Sequence, residues 1–230
     1  MVQSLQEDRA MMEEYLLENY GYNQPIFLQE LKMDGMSANA VRQSVKRLSA
    51  DGFLKRYDNG IYYIPKKGKL LDTGYLDPVQ VVNCKYVSDN QKVYGYESGI
   101  GFANKLGLTT QVPSLMEVVS NKESSNGRNV KIGPQKVRVK KSAVPVTKDN
   151  APILQFLDAV NQAEKYSELS QKDTEEILLE YARKQKFSRK QLIEVSVCMS
   201  GATAKKLVEW GIVYEFKGSI PIPVDITNCS

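Results

Sequence analysis

The chain has 230 residues, 42% of them hydrophobic and 25% charged, which is ordinary for a soluble globular protein of one or two domains with a full core. A net charge of +4 and a pI of about 8.8 give a mild basic bias that suits a nucleic-acid partner without demanding one. There is no histidine, which excludes Ser-His-Asp and Cys-His nucleophile systems, and Cys84, Cys198 and Cys229 are too scattered for a zinc site or a disulfide framework. The same cysteine usage points to a reducing, cytoplasmic setting. The N-terminus carries acidic residues where a signal peptide needs a basic and then an apolar stretch. No apolar run approaches the roughly 18 residues of a membrane span.

The first predicted element is an amphipathic helix from Gln6 to about Asn19, with Met11, Met12, Tyr15, Leu16 and Leu17 as its apolar residues. Pro25 is expected to start a short second helix, Ile26 to Met33, that turns Phe27, Leu28 and Leu31 inward. After the turn Asp34-Gly35-Met36, Ser37 is placed to cap a third helix, Ala38 to Ala50. Val41, Val45 and Leu48 fall at i, i+4, i+7 and form one apolar stripe. Opposite them stand Asn39, Arg42, Gln43, Lys46 and Arg47. Gly52 ends this helix, and FLKRY, the turn DNG and IYYIP then read as a β-hairpin. Three short helices followed directly by a hairpin is the order of a winged helix-turn-helix.

Beyond the hairpin, KKGKLLDTGYLDP reads as a polar exit from the first domain, and VQVVNCKYV as strand or mixed structure. A short helix is expected over Ser98 to Leu106, bracketed by glycines. VPSLMEVVSN, NVKIG, KVRVKK and AVPVT read as short strands, and Ala151 to about Tyr166 as helix. The rest is expected to be helical: a helix capped by Asp173 or Thr174 and ending near Lys186, one from Ser188 to Met199, and one from Gly201 to Trp210. Read as a second helix-turn-helix, these helices would take Leu207, Val208 and Trp210 as core with Lys205 and Lys206 facing out, but a packing or partner-binding module is the preferred reading. IVYEF reads as a strand, and SIPIPVDITNCS as an extended tail. The expected fold class is α+β. Its domains are a winged helix-turn-helix at residues 1–68, a mixed α+β domain at 69–166 and a helical extension at 167–230.

A recognition helix must reach base edges while its back packs on its own domain. Arg suits the paired acceptors of guanine, and Asn or Gln suits adenine, so Arg42, Asn39 and Gln43 are candidate base readers. Lys46 and Arg47 are better suited to phosphates. The bland alternative is a solvated polar helix face. Lys55, Arg56, Tyr57 and Asn59 on the wing, with Lys66, Lys67 and Lys69 after it, would follow the backbone or probe the minor groove. Such lysines also blunt a strand edge against aggregation. A second basic run, Lys131, Lys136, Arg138, Lys140 and Lys141, is first a half-exposed strand with its charges in water. Its alternative is a second, sequence-independent DNA contact. GYESGIGFANKLG lacks both GxGxxG and Walker spacing, and no DxD or HxE cluster suggests metal chemistry. No cofactor, metal or catalytic residue is therefore expected.

SANAVRQSVKRLSADGFLKRYDNGIYYIP, YESGIGFANKLGLTTQVP, VSNKESSNGRNVKIGPQKVRVKKS and NAPILQFLDAV together resemble the AbiEi-like antitoxins of type IV toxin–antitoxin and abortive-infection systems. The resemblance spans roughly residues 5 to 160. It implies an N-terminal winged helix-turn-helix and a C-terminal domain needed for antitoxicity. It also implies autorepression through repeats in the gene's own promoter, and a nucleotidyltransferase-like toxin countered without a stable complex. It puts DNA contact on Ser37, Asn39, Arg42, Gln43, Lys46 and the wing residues, and it adds no catalytic residue. A repeated operator suggests more than one protomer on DNA. The competing expectations are a stand-alone transcription factor whose middle domain binds a ligand or protein, an interaction protein that never touches DNA and, more remotely, an enzyme.

Overall fold

The computed structural model describes residues 2–66 and 74–216. The fold is mixed α+β, and the chain divides into two compact units: Met1–Cys84 with Ile132–Pro134, and Lys85–Lys131 with Gln135–Ser230. In the first unit the order is α1 (Val2–Asn19), β1 (Ile26–Phe27), α2 (Ala38–Ala50), β2 (Lys55–Asp58) and β3 (Ile61–Tyr63). The three strands form one sheet in the order β1-β3-β2, antiparallel at both pairings. Met12 and Leu16 of α1, Ile26 of β1, and Val41, Val45 and Leu48 of α2 form its core. Met11, expected among the apolar residues of α1, is 45% exposed.

The helix expected over Ile26 to Met33 does not form. Ile26 and Phe27 pair instead with Tyr62 and Ile61 of β3. The chain then turns, with the Glu30 amide donating to the Phe27 carbonyl at 2.9 Å, and Leu31 still enters the core. Pairing to a waiting strand satisfied the backbone that a two-turn helix would have left half unpaired.

VQVVNCKYV also departs from expectation. It is helix α3 (Pro78–Tyr86), opened by a proline in the first position and by the Asp77 carboxylate, which accepts from the Val79 amide at 2.9 Å. Fully buried Val81 and Val82 explain why the run looked strand-like.

The second unit is built on a four-stranded sheet, β4-β5-β7-β6, with β4 (Gly95–Ser98), β5 (Leu115–Ser120), β6 (Arg128–Ile132) and β7 (Gln135–Lys141). β4 runs antiparallel to β5, and β5 runs parallel to β7. Helix α4 (Gly99–Leu106) follows β4 directly and ends at Gly107, whose φ of +81° only glycine adopts readily. The expected strand at AVPVT is absent. Both backbone groups of Val146 bond the Asn121 carboxamide at 2.8 Å, so no strand partner is needed.

Helix α5 (Ala151–Tyr166) is the spine of this unit, with Phe156, Leu157 and Val160 fully buried. Around it pack α6 (Gln171–Lys184), α7 (Arg189–Met199) and α8 (Gly201–Glu209). Leu178, Leu192 and Leu207 from these helices join the α5 core. Residues 167–216 are therefore part of the second unit's core, where a separate extension was expected.

Details differ as well. Ser170 caps α6 through the Asp173 amide, where Asp173 or Thr174 was the expected cap. Val208 is 51% exposed, and Lys206 is nearly buried against Glu164 at 3.0 Å, so neither lies where a second helix-turn-helix would put it. IVYEF is a 3-10 turn, Ile212–Tyr214, and the Arg189 guanidinium takes the carbonyls of Val213 and Tyr214 that a strand would have offered a neighbour. The expected tail, SIPIPVDITNCS, lies outside the described residues. No helix is long and apolar enough to cross a membrane among the described residues.

Candidate nucleic-acid interface

Helix α2 begins where Ser37, in extended backbone geometry, turns its Oγ to accept from the Ala40 amide at 3.2 Å. It has no glycine or proline inside, and Gly52, at φ +77°, follows its C-cap Asp51. Val41, Val45 and Leu48 are each no more than 2% exposed, so the back of the helix is fixed by packing. Asn39, Arg42, Gln43, Lys46 and Arg47 are all exposed. Among the described residues, none of these five side chains is engaged in a hydrogen bond or ion pair.

Asp51 puts a negative charge at the negative end of the α2 dipole, an unfavourable placement on its own. Arg9 offsets it, donating to Asp51 at 2.8 Å and to Glu13 at 2.8 Å. A groove of about 600 Å³ beside this end of α2 is lined by Arg9, Tyr22, Phe53 and Pro65 among others. Arg9, Glu13 and Asp51 in its lining are paired with one another.

The remaining expected contacts lie on the β2–β3 hairpin and just after it. Lys55 and Asn59 are exposed. Arg56 is exposed but occupied: its Nε donates to the Asp58 carbonyl at 3.3 Å and its Nη2 to Asn59 Oδ1 at 3.2 Å. The Asn59 amide in turn donates to Asp58 Oδ1 at 2.7 Å, and Gly60 closes the turn at φ +71°. A register shift between Arg56 and Asp58 makes room for this knot. Tyr57 is half-buried, and burial raises its phenol above its ordinary pKa. Lys66 is exposed, and its amide donates to Asn23 Oδ1 at 3.1 Å. Lys67 and Lys69 lie outside the described residues.

The second basic run is a half-exposed strand. Val137 and Val139 are fully buried, while Lys136 and Arg138 face out. Arg128 is bound by Glu123 at 2.9 Å and Lys140 by Glu117 at 2.6 Å.

A polar cluster in the second unit escaped sequence reasoning. Ser98 Oγ donates to Asp158 and accepts from Gln162 at 3.3 Å. Glu117 accepts from the Tyr166 hydroxyl at 2.9 Å besides its bond to Lys140. Burial pushes the Asp158 carboxyl above its usual range, against the bond from Ser98. Burial also works against ionised Glu117, but Lys140 and Tyr166 hold it below the usual carboxylate range. These residues come from β4, β5, β7 and α5, and no local spacing brings them together. The cavity bordering the cluster measures about 10 Å³, room for at most one water. Among the described residues, no three acidic or cysteine side chains gather as a metal would require.

A comparison with curated proteins finds no match to this chain. A family model does match residues 22–186, from the segment before β1 through α6, which is more than half of the chain. The protein therefore belongs to DUF6088, a family of unknown function.

Proposed function

We propose that the first unit is a winged helix-turn-helix that binds double-stranded DNA, with α2 in the major groove and the β2–β3 hairpin as its wing. The observation that carries this reading is the division of α2. One stripe is locked into the core, and the opposite face offers Asn39, Arg42, Gln43, Lys46 and Arg47 with no protein partner among the described residues. An amphipathic surface helix keeps its polar face in water in any case, and what favours DNA here is the make-up of that face. Major-groove readout needs such a set: amides for adenine, arginine for guanine, lysine for phosphate. The element order helix, strand, helix, hairpin with sheet order β1-β3-β2 supports the same reading, with turns occupying the place of the helix that usually precedes the recognition helix.

On this basis, and on the resemblance to AbiEi-like antitoxins, the protein is a cytoplasmic transcriptional autoregulator. It acts as the antitoxin to a nucleotidyltransferase-like toxin without a stable complex, and more than one copy binds the operator repeats. We assign it no catalytic step.

A band-shift assay with the gene's own upstream region tests DNA binding, and the expected result is a sequence-preferring complex at moderate salt. Co-expression with a neighbouring nucleotidyltransferase-like gene tests the antitoxin role, and relief of growth arrest is expected. Absence of any sequence preference contradicts the first half; growth arrest unrelieved by the full-length protein contradicts the second.

A further inference from the structure

The bulge in the β2–β3 hairpin makes a contact of its own, and we infer that Tyr57 and Asp58 are positioning residues: they pin the wing to the turn Ile132–Pro134, and the Tyr57 hydroxyl is withdrawn from any ligand. The consequence for DNA rests on the DNA-binding reading of the first unit; the pin does not. Lys55 pairs with Tyr63 and Arg56 with Tyr62, but the next pair is Asp58 with Ile61. Tyr57 is left without an opposite residue, and a bulge of this kind re-aims its side chain.

The turn Ile132–Pro134 belongs to the first unit. At its centre Gly133 has a φ of +55°. A β-carbon there would stand 2.6 Å from the Tyr57 hydroxyl oxygen and from the ring carbon that bears it, so the phenol lies directly on glycine backbone. Asp58 ties the same turn: its Oδ2 accepts from the Gly133 amide at 2.7 Å, while its Oδ1 accepts from the Asn59 amide at 2.7 Å. One carboxylate therefore links the tip of the hairpin to the turn, and the bulge supplies both contacts from adjacent residues.

Tyr57, expected from sequence to follow the phosphate backbone or probe the minor groove, has its hydroxyl oxygen buried with no hydrogen-bond partner among the described residues. That oxygen is the one polar atom of the side chain. A buried hydroxyl without a partner costs stability where phenylalanine would not, so the position uses the ring. Exposed Lys55 and Asn59 flank the pinned residues, and their backbone is held where the pin sets it.

Full-length protein tests the pin and then its consequence. Hydrogen exchange should find the Gly133 amide protected in the wild type and at least about tenfold less so in Asp58→Ala, with the α2 core amides of Val45 and Leu48 unchanged. The loss of melting temperature caused by Gly133→Ala should be at least about twofold smaller when Tyr57→Ala is already present, because the added methyl then meets no ring. On DNA, Asp58→Ala and Gly133→Ala, each assayed below its melting transition, should weaken binding about tenfold on a duplex from the gene's own upstream region and on a scrambled duplex alike, since phosphate contacts carry no sequence information. Tyr57→Phe should bind both duplexes as the wild type does. The pin is overturned if the Gly133 amide is unprotected in the wild type, or if the effects of Gly133→Ala and Tyr57→Ala simply add. Its role in binding is overturned if Asp58→Ala binds DNA as the wild type does, or if Tyr57→Phe weakens binding. If the wild-type protein binds neither duplex, the DNA-binding reading fails instead, and exchange and melting alone decide the pin.

Discussion

On α2, Arg42, Lys46 and Arg47 stand exposed with no partner among the described residues, whereas in the second unit Arg128, Lys140 and Lys206 are held by Glu123, Glu117 and Glu164. In sequence the two regions look alike: both are short amphipathic segments dense in cations. What separates these cations is whether the fold brings a carboxylate within reach, and Lys136 and Arg138 of β7, exposed without an ion pair among the described residues, fall on the side of α2. Paired cations brace β strands and helices in place, and only unpaired ones are available for phosphates or bases. By the same criterion Arg56 crosses from one class to the other, because the turn it was expected to decorate uses it as a brace.

The comparison breaks most visibly where a paired cation is removed. Lys140→Met should leave Glu117, whose side chain is 12% exposed, without its counter-ion. The expected cost is about 3 kcal/mol, the lower end for breaking a buried pair. Thermal or denaturant unfolding would show it, with DNA affinity below the transition unchanged. On the other side of the comparison, Arg42→Ala should leave stability within roughly 0.5 kcal/mol, as for most surface changes. Its DNA affinity should fall by about 1–3 kcal/mol, with preference relaxed at one base position. If the costs fall the other way round, pairing is not what distinguishes the two regions.

Smaller effects sharpen the account. Ser37→Ala removes the α2 cap and should cost about 1 kcal/mol of stability. Lys46→Ala should weaken binding similarly on all duplexes and reduce the slope of log affinity against log salt by about one. In the second unit, the backbone amide of Ser125 leads a set of donors, with Arg128 and Ser124, that hold Glu123 at a pKa of about 2. That is below its unfolded value, so its contribution is complete above about pH 4.5 and is lost as pH falls through about 2. The protection factors of the Ser124 and Ser125 amides, with the intrinsic pH dependence of exchange divided out, should fall across that window in the wild type and be low throughout in Glu123→Gln.

Much of the candidate interface was legible in the sequence because it depends on local rules. Ser37 as cap, Ala38–Ala50 as helix and Val41, Val45 and Leu48 as its buried stripe follow from capping chemistry and a 3.6-residue period. What failed depended on distant partners. Ile26 and Phe27 became strand because β3 offered a ladder. VQVVNCKYV, rich in valine, became a helix because Asp77 and Pro78 start one. IVYEF lost its strand to Arg189, which lies more than twenty residues earlier in the chain. The Ser98–Asp158 and Glu117–Lys140 contacts bring four elements together and have no sequence signature.

The central claim is that the unpaired face of α2 reads DNA. Fluorescence anisotropy with full-length protein tests it most directly, comparing a duplex from the gene's own upstream region with a scrambled duplex of the same composition and length. The account predicts tighter binding to the native duplex at moderate salt, and a preference reduced by about 1–3 kcal/mol in Arg42→Ala. Equal affinity for the two duplexes, or a preference that survives Arg42→Ala, Asn39→Ala and Gln43→Ala together, would contradict it.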